Sequence, residues 1–178
     1  MINDKIPGKV RAIVFPGDAV MNFGATLFLR VVLVLIGVGV LAFLLVEPHL
    51  EGRNAHATPF EIYFKDPFLA YLYIASIPFF VGLYHAIKVL GYAARNSEFS
   101  PSTLKSVRTI KYCAIALIGF VAGAEVFILS NEGDDGAGAI VMGAFIAFVA
   151  IVVATAMAVL ERTLQKAVDL KSENDLTV

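Results

Sequence analysis

Tryptophan is absent from this chain, cysteine occurs once, and charged residues make up only 16% of it. Each shortage excludes something. A single cysteine, Cys113, has no partner for a disulfide within the sequence, so no covalent staple is expected. A soluble domain carries about 25% charged residues. This chain has far fewer, beside 58% hydrophobic residues in a length of 178. A single core of that size cannot hide so much apolar surface from water, which leaves lipid as the natural solvent. The formal net charge of -1 offers no global field to an acidic partner or to nucleic acid, and direct nucleic-acid binding is not expected. Catalytic templates are missing as well. There is no Gly-x-Ser-x-Gly, no His-Glu-x-x-His and no glycine-rich phosphate loop, so no catalytic residue and no cofactor are expected.

What is present is apolar sequence in long stretches, over residues 27–46, 68–90, 110–129 and 139–160. Each is near the ~20 residues that cross a ~30 Å hydrocarbon core. None alternates as a strand does, and each is too long for a barrel strand. The expected fold is all-α: a bundle of four transmembrane helices in one membrane domain over 1–178, with 161–178 as a cytoplasmic tail. Local signals set the helix starts. Pro16-Gly17 makes a turn before the capping residue Asp18, and Asp66 caps a helix whose first position is Pro67. Ser100 caps a third helix that begins at Pro101, ahead of its apolar stretch, and the fourth continues as a charged helix to about Lys171. Ala55-His56-Ala57 has the form of a signal-peptidase site. The run from Val31 to Val46 is nevertheless too long for a signal core and too far from that site, so it reads as a retained membrane helix.

Orientation follows from the 14 lysines and arginines, because cytoplasmic loops retain them. Lys5, Lys9, Arg11 and Arg30 lie before or at the start of the first span. Lys88, Arg95, Lys105, Arg108 and Lys111 flank the loop between the second and third, and Arg162, Lys166 and Lys171 follow the fourth. Only Arg53 and Lys65 fall on the other side, where the last hairpin carries Glu132, Asp134 and Asp135. Both termini are therefore expected in the cytoplasm. The turn at 131–138 is short, so the third and fourth helices must be antiparallel neighbours. Gly119 and Gly123 on one, with Ala139, Gly143 and Ala147 on the other, are spaced for close packing; the same ridge would equally serve a homo-oligomer through Gly119 and Gly123.

Three short motifs bring a family into view: Glu98-Phe99-Ser100-Pro101, Ser76-Ile77-Pro78-Phe79, and the ending Glu173-Asn174-Asp175-Leu176-Thr177-Val178. Together with the helix order, from about Thr26 onward, they resemble the YoaS-like family of bacterial four-span membrane proteins, a domain of unknown function. The resemblance implies a multi-pass protein of the bacterial cytoplasmic membrane, often encoded beside a small helix-turn-helix regulator. It brings no catalytic residues with it.

Few residues invite chemistry. Glu125 is a carboxylate inside the third apolar stretch, where a charge costs roughly 2.5–3.5 kcal/mol at mid-bilayer and less toward the interface. It reads either as a tolerated group reaching outer headgroups or a neighbouring helix, or as a proton or cation site. His85 is no partner for it, since the two lie near opposite membrane faces; His85 shares its level with Arg30 and Lys88 and reads as an interfacial anchor. Glu47, His49, Glu51, His56 and Glu61 match no metal-ligand spacing, so no metal is expected. Phe60, Tyr63, Phe64, Phe68, Tyr71 and Tyr73 form an outer aromatic belt, and Tyr84, Tyr92 and Tyr112 an inner one. Pro78 removes the donor for the Ile74 carbonyl, which Ser76 is placed to relieve. Past the membrane, Leu164, Ala167 and Val168 continue an apolar ridge. With Glu173, Asn174, Asp175 and Leu176 it forms a candidate docking tail for a cytoplasmic protein or the neighbouring loop.

The reading is an accessory or regulatory membrane protein, in contact with lipid, that binds partners at its cytoplasmic face. A small oligomeric transporter or channel using Glu125 is the alternative, and an enzyme a distant third.

Overall fold

The computed structural model describes residues 23–50, 60, 67–94, 100–130 and 136–176. Within them the chain is helical throughout: α1 is Phe23–Leu50, α2 Pro67–Ala93, α3 Pro101–Ser130 and α4 Gly136–Leu176. Each is long and apolar enough to cross a bilayer. Asp18 and Asp66 lie outside the described residues, as do Lys5, Lys9, Arg11, Arg53, Lys65, Arg95 and the acidic hairpin residues.

Helix starts obey the local chemistry. Pro67 opens α2 and Pro101 opens α3, where a missing N–H costs nothing. Ser100 caps α3 as its sequence position requires: its Oγ accepts the Thr103 N–H at 3.2 Å, and its carbonyl accepts from Leu104 N at 3.1 Å. At Pro78 the outcome differs from expectation. Helix α2 runs through the proline, and the Ser76 hydroxyl donates to the Tyr73 carbonyl at 2.7 Å, not to that of Ile74. A serine side chain reaches back to carbonyls three or four residues earlier, and Tyr73 is the one within its arc.

Length separates α4 from the rest. Its 41 residues span about 60 Å at ~1.5 Å per residue, twice the ~30 Å of a hydrocarbon core. It also outruns the expected end at Lys171. The sequence after Leu170 holds no glycine or proline to stop it, and side chains bind along it: Gln165 Nε2 donates to Asp169 Oδ1 at 2.8 Å, and Ser172 Oγ to the Asp169 carbonyl at 2.8 Å.

The substantial helix interfaces among the described residues run in chain order, α1 on α2, α2 on α3 and α3 on α4. Each pair is antiparallel. Between α1 and α2, Gly37 lies against Leu83, where an added Cβ would stand 2.6 Å from Cδ2, and Arg30 Nη2 lies over Gly91. Tyr73 donates to the Leu44 carbonyl at 2.8 Å further along. Between α2 and α3, Phe68 stacks on Phe127 with centroids 5.2 Å apart, Tyr71 donates to the Phe120 carbonyl at 2.6 Å, and Gly82 faces Cys113. The outer aromatics thus do more than border lipid. Phe68, Tyr71 and Tyr73 pin α2 to both its neighbours.

Large apolar side chains stand exposed along all four helices, among them Phe28, Phe43, Ile77, Val126, Phe145 and Phe148. This is the surface that lipid covers. Buried side chains gather elsewhere. Thr103, Leu104, Ser106 and Val107 near the start of α3 are buried, and so is Leu164 late in α4. Leu104, Val107 and Leu164 form one cluster, with Val89 of α2 and Met157 packed against it. The core therefore sits where α2 ends, α3 begins and α4 continues past its apolar stretch. We call this the convergent end. Lys105 and Arg108 on α3 and Glu161 and Arg162 on α4 lie beside this cluster, and wherever water reaches such a surface apolar burial gains free energy that it cannot gain between helices in lipid.

Candidate functional site

The convergent end carries the richest polar arrangement among the described residues. Arg108 and Lys111 lie one turn apart on α3, and both face α4. Glu161, the first charge after the fourth apolar stretch, accepts from Arg108 Nε at 2.7 Å and from Lys111 Nζ at 2.5 Å. Shielding is unequal. The Lys111 and Glu161 side chains are 19% and 15% exposed, against 50% for Arg108. The lysine contact is thus the stronger half of the pair, since exposed pairs contribute only about 0–1 kcal/mol. Lys111 also sits over the Tyr112 ring, 4.8 Å from its centroid.

Beside this pair α4 presents Arg162, Gln165 and Lys166. With Arg108, Lys111, Glu161 and Ala158 they line a shallow depression of about 420 Å³ between the two helices. Arg162 and Lys166 make no ion pair or hydrogen bond to the other described residues. Four cations thus surround one carboxylate whose two oxygens are both engaged. The arrangement can receive an anion. Lys105, Arg108 and Lys111 recur at three-residue spacing on α3, and the fold divides them: the last two turn to α4, while exposed Lys105 stands outside the depression.

Leu164 and Val168, expected on a docking ridge, are placed by this geometry. Leu164 is 6% exposed and packs within the chain, on Leu104 and Val107 of α3; it offers nothing to an external partner. Its ridge docks on the neighbouring α3. Val168 is half-buried, while Leu170 stands 62% exposed. Glu173 is exposed on the same helix, whose backbone carries Asn174, Asp175 and Leu176; their side chains lie outside the described set.

Glu125 lies elsewhere, at the other end of the α3–α4 interface. Its Oε1 is buried without a hydrogen-bond partner among the described residues. The carboxyl rests against Gly143 of α4, in space that a Cβ would fill. His85 is not near it. The contacts of Gly82 with Cys113 and of Phe68 with Phe127 fix the α2–α3 register, which puts His85 and Glu125 roughly 20 Å apart in depth. His85 Nδ1 is buried and unpartnered among the described residues, its ring edge-on to Tyr84 at 5.4 Å. Lys88 lies over the same tyrosine, also at 5.4 Å.

The small residues are used differently from expectation. Gly123 meets Tyr71 of α2, so it does not form the α3–α4 contact; Gly143 does, against Glu125 and Val121. Gly119 has open space beside it. Among the described residues no group of three His, Cys, Asp or Glu side chains is placed to hold a metal. Glu51, His56 and Glu61 lie outside them, as do the side chains of Glu47 and His49.

Sequence reasoning missed the joint role of Glu161 with Arg108 and Lys111, and the depression around Arg162, Gln165 and Lys166. A signal existed. In an antiparallel hairpin, residues equally far from its midpoint come level, and Arg108 and Glu161 are nearly equidistant in sequence from the middle of the segment joining α3 to α4.

Comparison with known proteins agrees with a membrane protein. The model of a family described as "Protein of unknown function (DUF2975)" matches residues 50–178. The chain is 42% identical over 160 residues to the "Uncharacterized membrane protein YoaS" of Bacillus subtilis (strain 168), an alignment covering 89% of this chain and 100% of that protein. The similarity therefore reaches upstream of Thr26 and takes in α1. No solved structure matches.

Proposed function

This chain belongs to the DUF2975 family, and on that premise we propose that it is an accessory or regulatory protein of a bacterial cytoplasmic membrane, engaging partners at its convergent end. The observation that carries the reading is the ordered helical platform there. Helix α4 continues to Leu176, is anchored to α3 by Leu164, and is held by Glu161 to Arg108 and Lys111. A helix that served only to span lipid would need about half that length. The lysines and arginines concentrate at the same end, which supports placing it, and both termini, in the cytoplasm. The distal turns, with Glu173, Asn174, Asp175 and Leu176, are the segment offered to a protein partner.

The test is a truncation after Lys171, which leaves Leu164 and Glu161 in place. The truncated chain is expected to insert and fold, and to lose whichever protein co-purifies with the full chain in mild detergent. Retention of every partner by the truncated chain would refute the reading.

One observation favours a second reading, a small oligomeric transporter or channel. The Glu125 oxygen that has no hydrogen-bond partner among the described residues, seated against Gly143, has the chemistry of a proton or cation site. We expect reconstituted vesicles to show no proton or cation flux with either the native chain or Glu125→Gln. A flux in the native protein that vanishes in Glu125→Gln would promote the transporter over the accessory role.

A further inference from the structure

The depression between α3 and α4 has a chemistry of its own. Both oxygens of Glu161 are occupied, Oε1 by Arg108 Nε and Oε2 by Lys111 Nζ. Arg162 and Lys166 on its rim have no ionic partner among the described residues. Glu161 thus acts as a positioning residue: it fixes two cations while leaving the site strongly positive. A guanidinium can meet a phosphate through two parallel N–H donors, and a lysine adds a point charge.

Its place in the fold says what kind of phosphate. Ala158 belongs to the apolar stretch, whereas Arg162, Gln165 and Lys166 lie beyond it. Tyr112 and Val159, 58% and 62% exposed, carry the lipid-facing surface up to the same level. The depression therefore straddles the boundary between hydrocarbon and water, and its 420 Å³ falls within the roughly 300–1,000 Å³ of small-molecule seats. A ligand that satisfies both halves has an anionic head and an apolar tail. Bases that meet bulk headgroups do so singly, on flexible stems. Here four converge on one concavity, two of them held in place.

We propose that this depression is a binding seat for the phosphate headgroup of an anionic glycerophospholipid. It rests on the reading above only in taking the convergent end as the one that faces the anionic leaflet.

The full chain, reconstituted in nanodiscs of phosphatidylcholine and phosphatidylglycerol, is released and its bound lipid counted by native mass spectrometry. The native protein should enrich phosphatidylglycerol on the order of tenfold, about 1.4 kcal/mol. Arg162→Gln with Lys166→Gln leaves the Glu161 contacts intact and should bring the enrichment close to unity. Lys88→Gln with Lys105→Gln removes the same charge from the same end but outside the depression, and should preserve it. Equal loss in both double variants would mean a diffuse surface field and overturn the seat. So would undiminished enrichment in Arg162→Gln with Lys166→Gln. Inorganic phosphate supplies the remaining arm. If millimolar phosphate alone stabilises the native chain against heat, and fails to stabilise the Arg162→Gln/Lys166→Gln variant, the site serves a soluble phosphate and the lipid assignment falls. The charge-retaining Arg162→Lys variant should keep most of the enrichment, which separates charge loss from misfolding. Because lipid is measured on purified protein and the truncation after Lys171 spares the depression, the two readings fail separately. A truncated chain that loses its partner yet keeps its lipid preference keeps this proposal.

Discussion

Gly143 and Glu125 show how one missing side chain makes room for another. The carboxyl occupies the space where a Cβ at position 143 would stand, and its Oε1 has no hydrogen-bond partner among the described residues. Gly143→Ala must push the carboxyl aside or part the helices. Overpacking of this kind costs about 1–3 kcal/mol, here toward the lower figure because the displaced group is the far end of a flexible chain. Glu125→Ala should relieve the clash. The double variant should then be more stable than the sum of the single changes implies, with a coupling of about 1 kcal/mol or more. Unfolding of the four proteins in one detergent, followed by circular dichroism, checks this. Strict additivity would mean that the two positions do not share the space. At this scale the sequence was partly legible. Glu125 declared itself by its polarity within an apolar run, but the glycine that seats it looked like one small residue among several. Ala139 and Ala147 share the face of Gly143, and only the level of Gly143 along α4, set by the register of the hairpin, brings it to Glu125.

Among the elements, α3 and α4 hold the most instructive contrast. Within their apolar stretches they expose large side chains to lipid, whereas past those stretches Val107 is fully buried and Leu164 is 6% exposed. Removing Leu164 should therefore act locally. Leu164→Ala is expected to cost about 2–5 kcal/mol at the convergent end, and hydrogen exchange should accelerate over 101–109 and 161–176 while the spans stay protected. Leu170→Ala, at an exposed position on the same helix, should change stability by no more than about 0.5 kcal/mol. If Leu164→Ala leaves exchange unaltered, the cluster does not hold the two helices together. Existence and type of the helices could be read from hydrophobic runs, and the Ser100-Pro101 start from capping chemistry. The docking of Leu164 could not, because an apolar ridge is the same pattern whether an external protein or α3 covers it. Nor could the final turns of α4 be read, since Ser172 to Asp175 are residues equally at home in a loop. Their helical state depends on side-chain bonds such as Gln165 to Asp169 and on the anchored turns before them.

For the whole molecule, the distribution of charge makes orientation a sharp prediction. In a background lacking Cys113, single cysteines at Asn54 and Asp135 should react with an impermeant thiol reagent added to intact cells. Cysteines at Ser97 and Ser172 should react only after the membrane is opened. Labelling at Ser97 from outside would invert or break the arrangement with both ends inside. Orientation gives mechanical meaning to the unbroken length of α4, which contains no proline. A stiff rod of about 60 Å does not let its two ends move independently. Tilting it by about 5° around the Gly143 contact carries the distal tip through roughly 4 Å. The same motion pulls Glu161 against Arg108 and Lys111, which resist like a stay near the middle of a mast. A tilt at one end of α4 is thereby passed along the rod to its distal turns near Leu176.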